Sequence, residues 1–458
     1  MLKLIYLKTM KPLKLSISGV RGIVGQTITP ELVVDFCSAF GTMLPRGPVL
    51  IGRDTRTSGP MLQEAAAAAL LSTGHEIIDL GICPTPIIQF LVTKYRAAGA
   101  VAITAGHNPA EWNALNFINS QGTYLNEFQG TELLDLYHLG RFTQKKIKKL
   151  PSLVHEVNPE EIYFHWLSSR LKVKEISSGG FKVVVDPCNG AGSGLVTRFL
   201  EYLGCKVIAV NDQGNGFFPH DPEPRPRNAG ELAALVRATG AQAGFLLNSD
   251  VSRISLVTEE GETLSEEYTL PLVADYWLKK QPGPVITNLS TSKMIDEVAR
   301  KYGARVSRTK VGQSAIIQAM FQENAVLAGE GSGSVAVRDF QPAFDAFLVM
   351  GLVLERLAIE QKHLSRLVRE LPRYYIVKDK VHCPPHRMHS LVAETRKLFP
   401  GAEINTLDGL RVEKKQMWIH IRASATEPLI RVIAEGHSPA RVRQEVDRVV
   451  SFLNRLIG

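Results

Sequence analysis

At 458 residues the chain is too long for one hydrophobic core and has room for three or four domains of ordinary size. Its composition, 45% hydrophobic and 21% charged, is that of a soluble globular protein, and its five cysteines, scattered without a CxxC pair, exclude a disulfide framework and a zinc ribbon. The formal charge of +8 is spread along the chain except for Lys145-Lys146-Ile147-Lys148-Lys149, which reads as a solvated linker, so nucleic acid is not expected and an anionic small ligand is.

The first residues, Met1 to Lys8, are interrupted by Lys3 and Lys8 and lack the apolar stretch of a signal peptide. No later run reaches membrane-spanning length. A cytoplasmic protein that does not contact membranes is expected.

The elements follow a rhythm of strand, loop and helix. Leu15 to Gly25 sets glycines beside Arg21, as a loop approaching an anion would. Val49 to Gly52 reads as a strand and Met61 to Thr73 as a helix. Two more strands, Glu76 to Leu80 and Ala100 to Ile103, complete a βαβ domain with a parallel sheet. The segment Thr104-Ala105-Gly106-His107-Asn108-Pro109, continuing to Phe117, is read as the loop leaving the last strand, at the sheet edge where ligands sit in open α/β folds.

After the basic, strand-poor stretch Lys145 to Pro151, strands are predicted at Phe181 to Asp186, Lys206 to Val210 and Ala243 to Leu247. The last runs into Asn248-Ser249-Asp250-Val251-Ser252-Arg253. A third βα unit has strands at Pro284 to Asn288 and Ala304 to Val306, with a helix from Ser290 to Tyr302 between them. It precedes the glycine-rich Gly329 to Val335 and a long apolar helix, Ala343 to Leu357. The tail changes character. Strands at Tyr374 to Val377, Gly409 to Glu413, Gln416 to Arg422 and Leu429 to Ala434, followed by a helix at Pro439 to Leu456, predict a smaller α+β domain.

The domains are set at 1–150, 151–260, 261–370 and 371–458. The fold class is α/β, with three serial βα domains of mixed or parallel sheets followed by a smaller α+β C-terminal domain.

Several loops carry groups suited to a phosphate ester. Arg422-Ala423-Ser424-Ala425-Thr426-Glu427-Pro428 offers a guanidinium, two hydroxyls and turn amides between two strands. Glu330-Gly331-Ser332-Gly333 would by composition alone be a flexible loop. Gly52-Arg53-Asp54-Thr55-Arg56-Thr57-Ser58 follows a strand. Together with Ser18-Gly19-Val20-Arg21-Gly22 and Thr104 to Pro109, these stretches resemble, in order and over nearly the whole chain, the motifs of the α-D-phosphohexomutases, the superfamily of phosphoglucomutase, phosphomannomutase and phosphoglucosamine mutase.

The resemblance implies four domains around a central cleft and a hexose phosphate ligand. It implies phosphate contacts from Arg422, Ser424, Thr426 and Arg431, sugar contacts from Glu330 and Ser332, and further substrate contacts from Arg21 and Lys310. In the family a serine carries the phosphoryl group, and here Gly106 stands in its place, with no oxygen to offer. The family's Mg²⁺ loop supplies three carboxylates, and here the positions are Asn248, Asp250 and Ser252, followed by Arg253. Asn116 stands where the family has a lysine.

One carboxylate is too little to dehydrate Mg²⁺, so no cofactor is expected and Asp250 is read as a vestigial ligand. The leading expectation is a hexose-phosphate-binding protein that is catalytically impaired or inactive, working alone, as a homo-oligomer or with a partner protein. One alternative is an active mutase with an unusual phosphoryl carrier such as His107, although loop orientation is the plainer role for that histidine. The other is a non-enzymatic assembly subunit.

Overall fold

The computed structural model describes residues 14–457 apart from 17, 147–150, 157, 425 and 426. The expectations for the N-terminal leader, for most of the basic cluster and for Ala425 and Thr426 lie outside the described residues. The chain divides into two compact units. The first contains the described residues up to Val273 together with Ser332–Val368, and the second contains Ala274–Gly331 with Arg369–Gly458.

The first unit opens with a seven-stranded sheet. Its strands are β1 (Lys14–Ser16), β2 (Gly19–Ile23), β3 (Val49–Arg53), β4 (Ile77–Ile82), β5 (Gly99–Ile103), β6 (Trp112–Asn119) and β7 (Leu153–His155), in the order β1-β2-β6-β5-β3-β4-β7. Strands β5, β3, β4 and β7 are parallel, whereas β6 runs antiparallel to both β5 and β2. The sheet is therefore mixed, which corrects the expectation of a parallel one. Two segments read as loops are strands in part, over Gly19–Ile23 and Trp112–Asn119. In β2, Gly19 is there for close packing, since a Cβ on it would meet the Leu115 carbonyl oxygen at 1.9 Å.

The sheet packs on helices α1 (Pro30–Met43), α2 (Gly59–Thr73), α3 (Thr85–Lys94) and α4 (Glu127–Leu139). Val33, Phe36, Phe40, Leu62, Leu70, Val101 and Phe117 lie in one apolar core.

A second sheet in this unit comprises β8 (Lys182–Asp186), β9 (Lys206–Ala209), β10 (Ala243–Leu247) and β11 (Ile254–Thr258), in the order β11-β10-β8-β9. Every residue of β10 and β11 is buried, the unalternating pattern of strands covered on both faces. The helix Ala346–Glu360 is apolar on all sides from Ala346 to Leu354 and buried along almost its whole length, as a core helix must be. The Asp345 side chain accepts from the Leu348 N–H and caps its start.

In the second unit, β12 (Val285–Asn288), β13 (Val306–Thr309) and β14 (Leu327–Glu330) lie parallel with β12 in the middle; the next strand in the chain, β15 (Ser334–Val337), belongs to the first unit. The helix after β12 is Met294–Lys301, four residues shorter at its start than its apolar pattern predicts, because residues 289–292 form a turn bonded to the Asn288 side chain.

The C-terminal sheet is antiparallel, built from β16 (Tyr375–His382), β17 (Glu403–Asn405), β18 (Leu410–Lys414), β19 (Met417–Ala423) and β20 (Leu429–Gly436). Alternation divides its faces. Ile419, Ile421, Ile430, Val432 and Ala434 pack with Val442, Val446, Val449 and Leu453 of the helix Pro439–Ile457. The opposite face carries Trp418, His420, Arg422 and Arg431.

Candidate functional site

The loop leaving β5 is held by a guanidinium. Arg56 is fully buried, and all five of its side-chain N–H groups are engaged. Nε meets Asp54 Oδ2 at 3.0 Å. Nη2 donates to the carbonyls of Gly106 at 3.0 Å and Asn108 at 2.7 Å, and Nη1 to those of Pro109 at 2.6 Å and Trp112 at 3.1 Å. Asp54 Oδ2 also accepts from Thr104 Oγ1 at 2.6 Å, and the Gly106 N–H donates to Thr104 Oγ1 at 3.0 Å. The Arg-Asp-Thr-Arg stretch thus builds the loop around residue 106 from behind.

Gly106 has φ +54°, in the left-handed region that favours glycine. A Cβ built on it would meet Asn248 Nδ2 and Asp250 Oδ2, each at 3.6 Å, which is ordinary contact. The loop leaving β10 therefore faces this position directly. Ser249 Oγ joins the two loops, 2.7 Å from the Gly106 carbonyl oxygen.

Within the β10 loop, Asp250 is surrounded by donors. Its Oδ1 accepts from Asn248 Nδ2 at 2.7 Å and from Ser252 Oγ at 2.6 Å. Its Oδ2 accepts from Thr85 Oγ1 at 3.0 Å. The Arg253 main-chain N–H donates to Asn248 Oδ1, and Val251 takes φ +63°, an uncommon conformation for a β-branched residue.

Arg21 enters from β2, donating through Nη1 to Asn108 Oδ1 at 2.7 Å. Burial, and then the charge of Arg253, hold its pKa below the ordinary arginine value. Asn116 spans the end of β5, donating to the carbonyls of Thr104 at 2.8 Å and Ala102 at 3.3 Å. His107 is half-buried in the same loop, and Ser332, also in this unit, lies 3.2 Å from the Ser334 hydroxyl.

The second unit collects the remaining candidates at the carboxyl ends of its parallel strands. Glu330 closes β14, and its Oε1 accepts from Asn288 Nδ2 at 3.0 Å and from the Gly312 N–H at 3.1 Å. Arg308, on β13, donates to the carbonyls of Asn288 and Thr291, each at 2.8 Å.

On the polar face of the C-terminal sheet, Arg422 stands directly opposite Arg431. Burial keeps the Arg422 pKa below its usual value, with Asp408 opposing, whose carboxylate is 3.9 Å away. Arg431 pairs with Glu427 at 2.6 Å. Ser424 is buried, and its N–H donates to Leu429 at 2.9 Å. Lys310 is exposed. Two guanidinium groups thus stand side by side on this face, each with a carboxylate near it.

Sequence reasoning missed Asp54, Arg56, Thr85 and Ser249 in the first unit and Ser290, Arg308, Asp408 and His420 in the second. The Arg-Asp-Thr-Arg motif was the available signal for the first two. The others become visible only once strand ends are brought together.

Four successive segments match the family described as phosphoglucomutase/phosphomannomutase: alpha/beta/alpha domain I over 13–143, domain II over 161–261, domain III over 265–375 and the C-terminal domain over 380–451. The chain belongs to the phosphoglucomutase/phosphomannomutase family, within the α-D-phosphohexomutase superfamily. It is 35% identical over 450 residues to a phosphoglucomutase/phosphomannomutase of Thermococcus kodakarensis, covering 96% of this chain and 98% of that one.

A phosphoglucomutase/phosphomannomutase family protein from Burkholderia thailandensis has a similar crystal structure, with TM-score 0.83 and 26% identity over 96% of this chain and 97% of that chain. The fold extends to the N-acetylphosphoglucosamine mutase of Aspergillus fumigatus, solved in complex with GlcNAc-6P and magnesium, at TM-score 0.57 and 17% identity over 89% of this chain and 82% of that chain.

Proposed function

We propose that this protein binds a hexose phosphate and is impaired or inactive as a mutase. The observation that carries the reading is the saturation of Asp250: Asn248, Ser252 and Thr85 all donate to its carboxylate beside a glycine at the family's phosphoserine position. Mg²⁺ takes octahedral oxygen ligands, with charge supplied by carboxylates and phosphate. Here an amide N–H and a hydroxyl O–H point at the one carboxylate, which gives the loop the same closure that a cation gives three acids. These residues do not fit the ion.

The other half of the reaction centre is changed in the same sense. Gly106 has no nucleophile, and Asn116 spends its amide on the carbonyls of Thr104 and Ala102, where the family lysine would bring charge. Phosphate monoesters are so unreactive in water that enzymes supply up to roughly 10²¹-fold acceleration, and binding contacts alone fall far short of that. The binding side is retained in chemistry: Arg422, Arg431, Ser424 and Glu330 present the charged and polar groups that a phosphosugar needs. Arg21, Lys310, Ser332 and Thr426 are assigned to the same ligand through the family resemblance.

Calorimetry with glucose 1-phosphate, mannose 1-phosphate and glucosamine 6-phosphate tests the reading. Heat of binding with one of them is expected. Absence of heat with all three overturns ligand binding and favours an assembly subunit.

A further inference from the structure

The carboxyl end of β12 presents a hydroxyl that the proposed function does not use. Ser290 lies in the turn between β12 and the helix Met294–Lys301, half-buried, with its Oγ 2.9 Å from Nδ1 of His420. The other ring nitrogen, Nε2, is 2.6 Å from the main-chain carbonyl of Asp408. A carbonyl can only accept, so Nε2 carries the proton and Nδ1 receives the serine O–H. Burial first, and then the charge of Arg422, brings the His420 pKa down to about 4 against the pull of the Asp408 carbonyl, so the ring is a neutral base. A hydroxyl bonded to a neutral imidazole whose far nitrogen is fixed by a third group is the arrangement that activates serine as a nucleophile.

The surroundings select an anionic partner for that nucleophile. Arg411 of β18 stands directly across from His420, and Arg422 follows two residues along β19 on the same face. Arg411 is desolvated enough that burial, and then the charge of Arg308, brings its pKa down to about 10. Glu413 pairs with Arg411 and Lys293, Asp296 with Arg308, and the Asp408 carboxylate with the Val311 N–H and Arg422, and the charge of Glu330 also acts on Arg422.

We propose that Ser290 is a phosphoryl acceptor whose proton is taken by His420, with a small acyl phosphate as the class of donor. In the step, the bond from Ser290 Oγ to phosphorus forms as the bond from phosphorus to the carboxylate oxygen breaks. The carboxylate departs with the electron pair, and the serine proton passes to Nδ1 and on to solvent. Phosphoserine, a carboxylate and one proton are the products. Arg411 and Arg422 supply the positive charge that a transferring phosphoryl group requires. The proposal shares Arg422 with the proposed sugar-phosphate contacts but needs no sugar phosphate, so labelling of Ser290 and calorimetry with a hexose phosphate fail independently.

The full chain is incubated with acetyl phosphate, followed by intact mass and mapped by peptide sequencing. The expected result is one added phosphoryl group at Ser290, none in Ser290→Ala, and a rate lowered on the order of 10²-fold in His420→Gln. Because the pair exists only in the fold, labelling should also vanish in urea. An unmodified parent, equal labelling of Ser290→Ala, or labelling in urea at the native rate would each overturn the proposal.

Discussion

The guanidinium of Arg56 donates to the main-chain carbonyl of Gly106 at 3.0 Å while its Nε pairs with Asp54. This single buried side chain ties the loop after β3 to the loop that carries Gly106. Lysine cannot replace its five-donor fork. Arg56→Lys leaves Asp54 and several carbonyls short of donors, and a loss of about 3–5 kcal/mol is expected, by analogy with breaking a buried pair. Denaturant unfolding of the variant checks it, and a change within error of zero would mean that the loop is held by other contacts.

The saturated Asp250 carboxylate makes a prediction about metal. A ligand that binds only the native state raises the melting temperature in proportion to RT ln(1 + [L]/Kd). Excess Mg²⁺, or its removal with EDTA, should leave the melting temperature of this chain unchanged. A reproducible rise with Mg²⁺ would show that Asn248 and Ser252 turn their oxygens to the ion.

Among the proposed phosphate contacts, Arg422 has the clearest physical cost of loss. A hydrogen bond to a charged group contributes about 1.5–3 kcal/mol, so Arg422→Ala should weaken hexose-phosphate binding roughly ten- to a hundredfold by calorimetry. Unaltered affinity would place the phosphate elsewhere.

His220 provides a pH test independent of the ligand. Its Nε2 is 3.1 Å from Asp186 Oδ2, and its Nδ1 is 2.9 Å from the Asp221 carbonyl. Burial alone would lower its pKa, but the hydrogen bonds to Asp186 and Cys188 outweigh that and push it up to about 11. In the unfolded chain it titrates at about 6.5, so between those values the native state holds the extra proton. The stabilisation is complete below about 6.5 and is lost as pH rises toward 11. His220→Gln should flatten the decline in unfolding free energy between pH 7 and 10, and an identical slope in both chains would remove His220 from the account.

Much of the fold was legible because apolar runs mark buried strands: β10 is predicted and observed over the same five residues, Ala243–Leu247. β6 was not legible, since Asn113, Asn116 and Asn119 interrupt its apolar pattern, and all three asparagines spend their side chains on neighbouring segments. β2 was hidden by glycines that serve close packing.

In the site, the changed residues at 106, 248, 252 and 116 could be seen in the sequence, but what they do instead could not. The hydrogen bonds from Asn248 and Ser252 to Asp250 depend on the turn, and that from Thr85 comes from 165 positions away. Ser290 and His420, 130 positions apart, meet only when β19 lies beside the turn after β12.

The central claim, binding without turnover, is tested most directly by assaying the purified chain for conversion of a hexose 1-phosphate to its 6-phosphate, coupled to a dehydrogenase, with and without Mg²⁺. The combined variant Gly106→Ser, Asn248→Asp, Ser252→Asp and Asn116→Lys serves as its counterpart. The serine Cβ is accommodated at ordinary contact distance, with a strain of about 1–2 kcal/mol from the left-handed backbone. The account predicts no conversion by the parent or by any single variant, and measurable conversion by the combined one, because charge stabilisation of the transferring group needs all four. Conversion by the unmodified protein above the blank would contradict it.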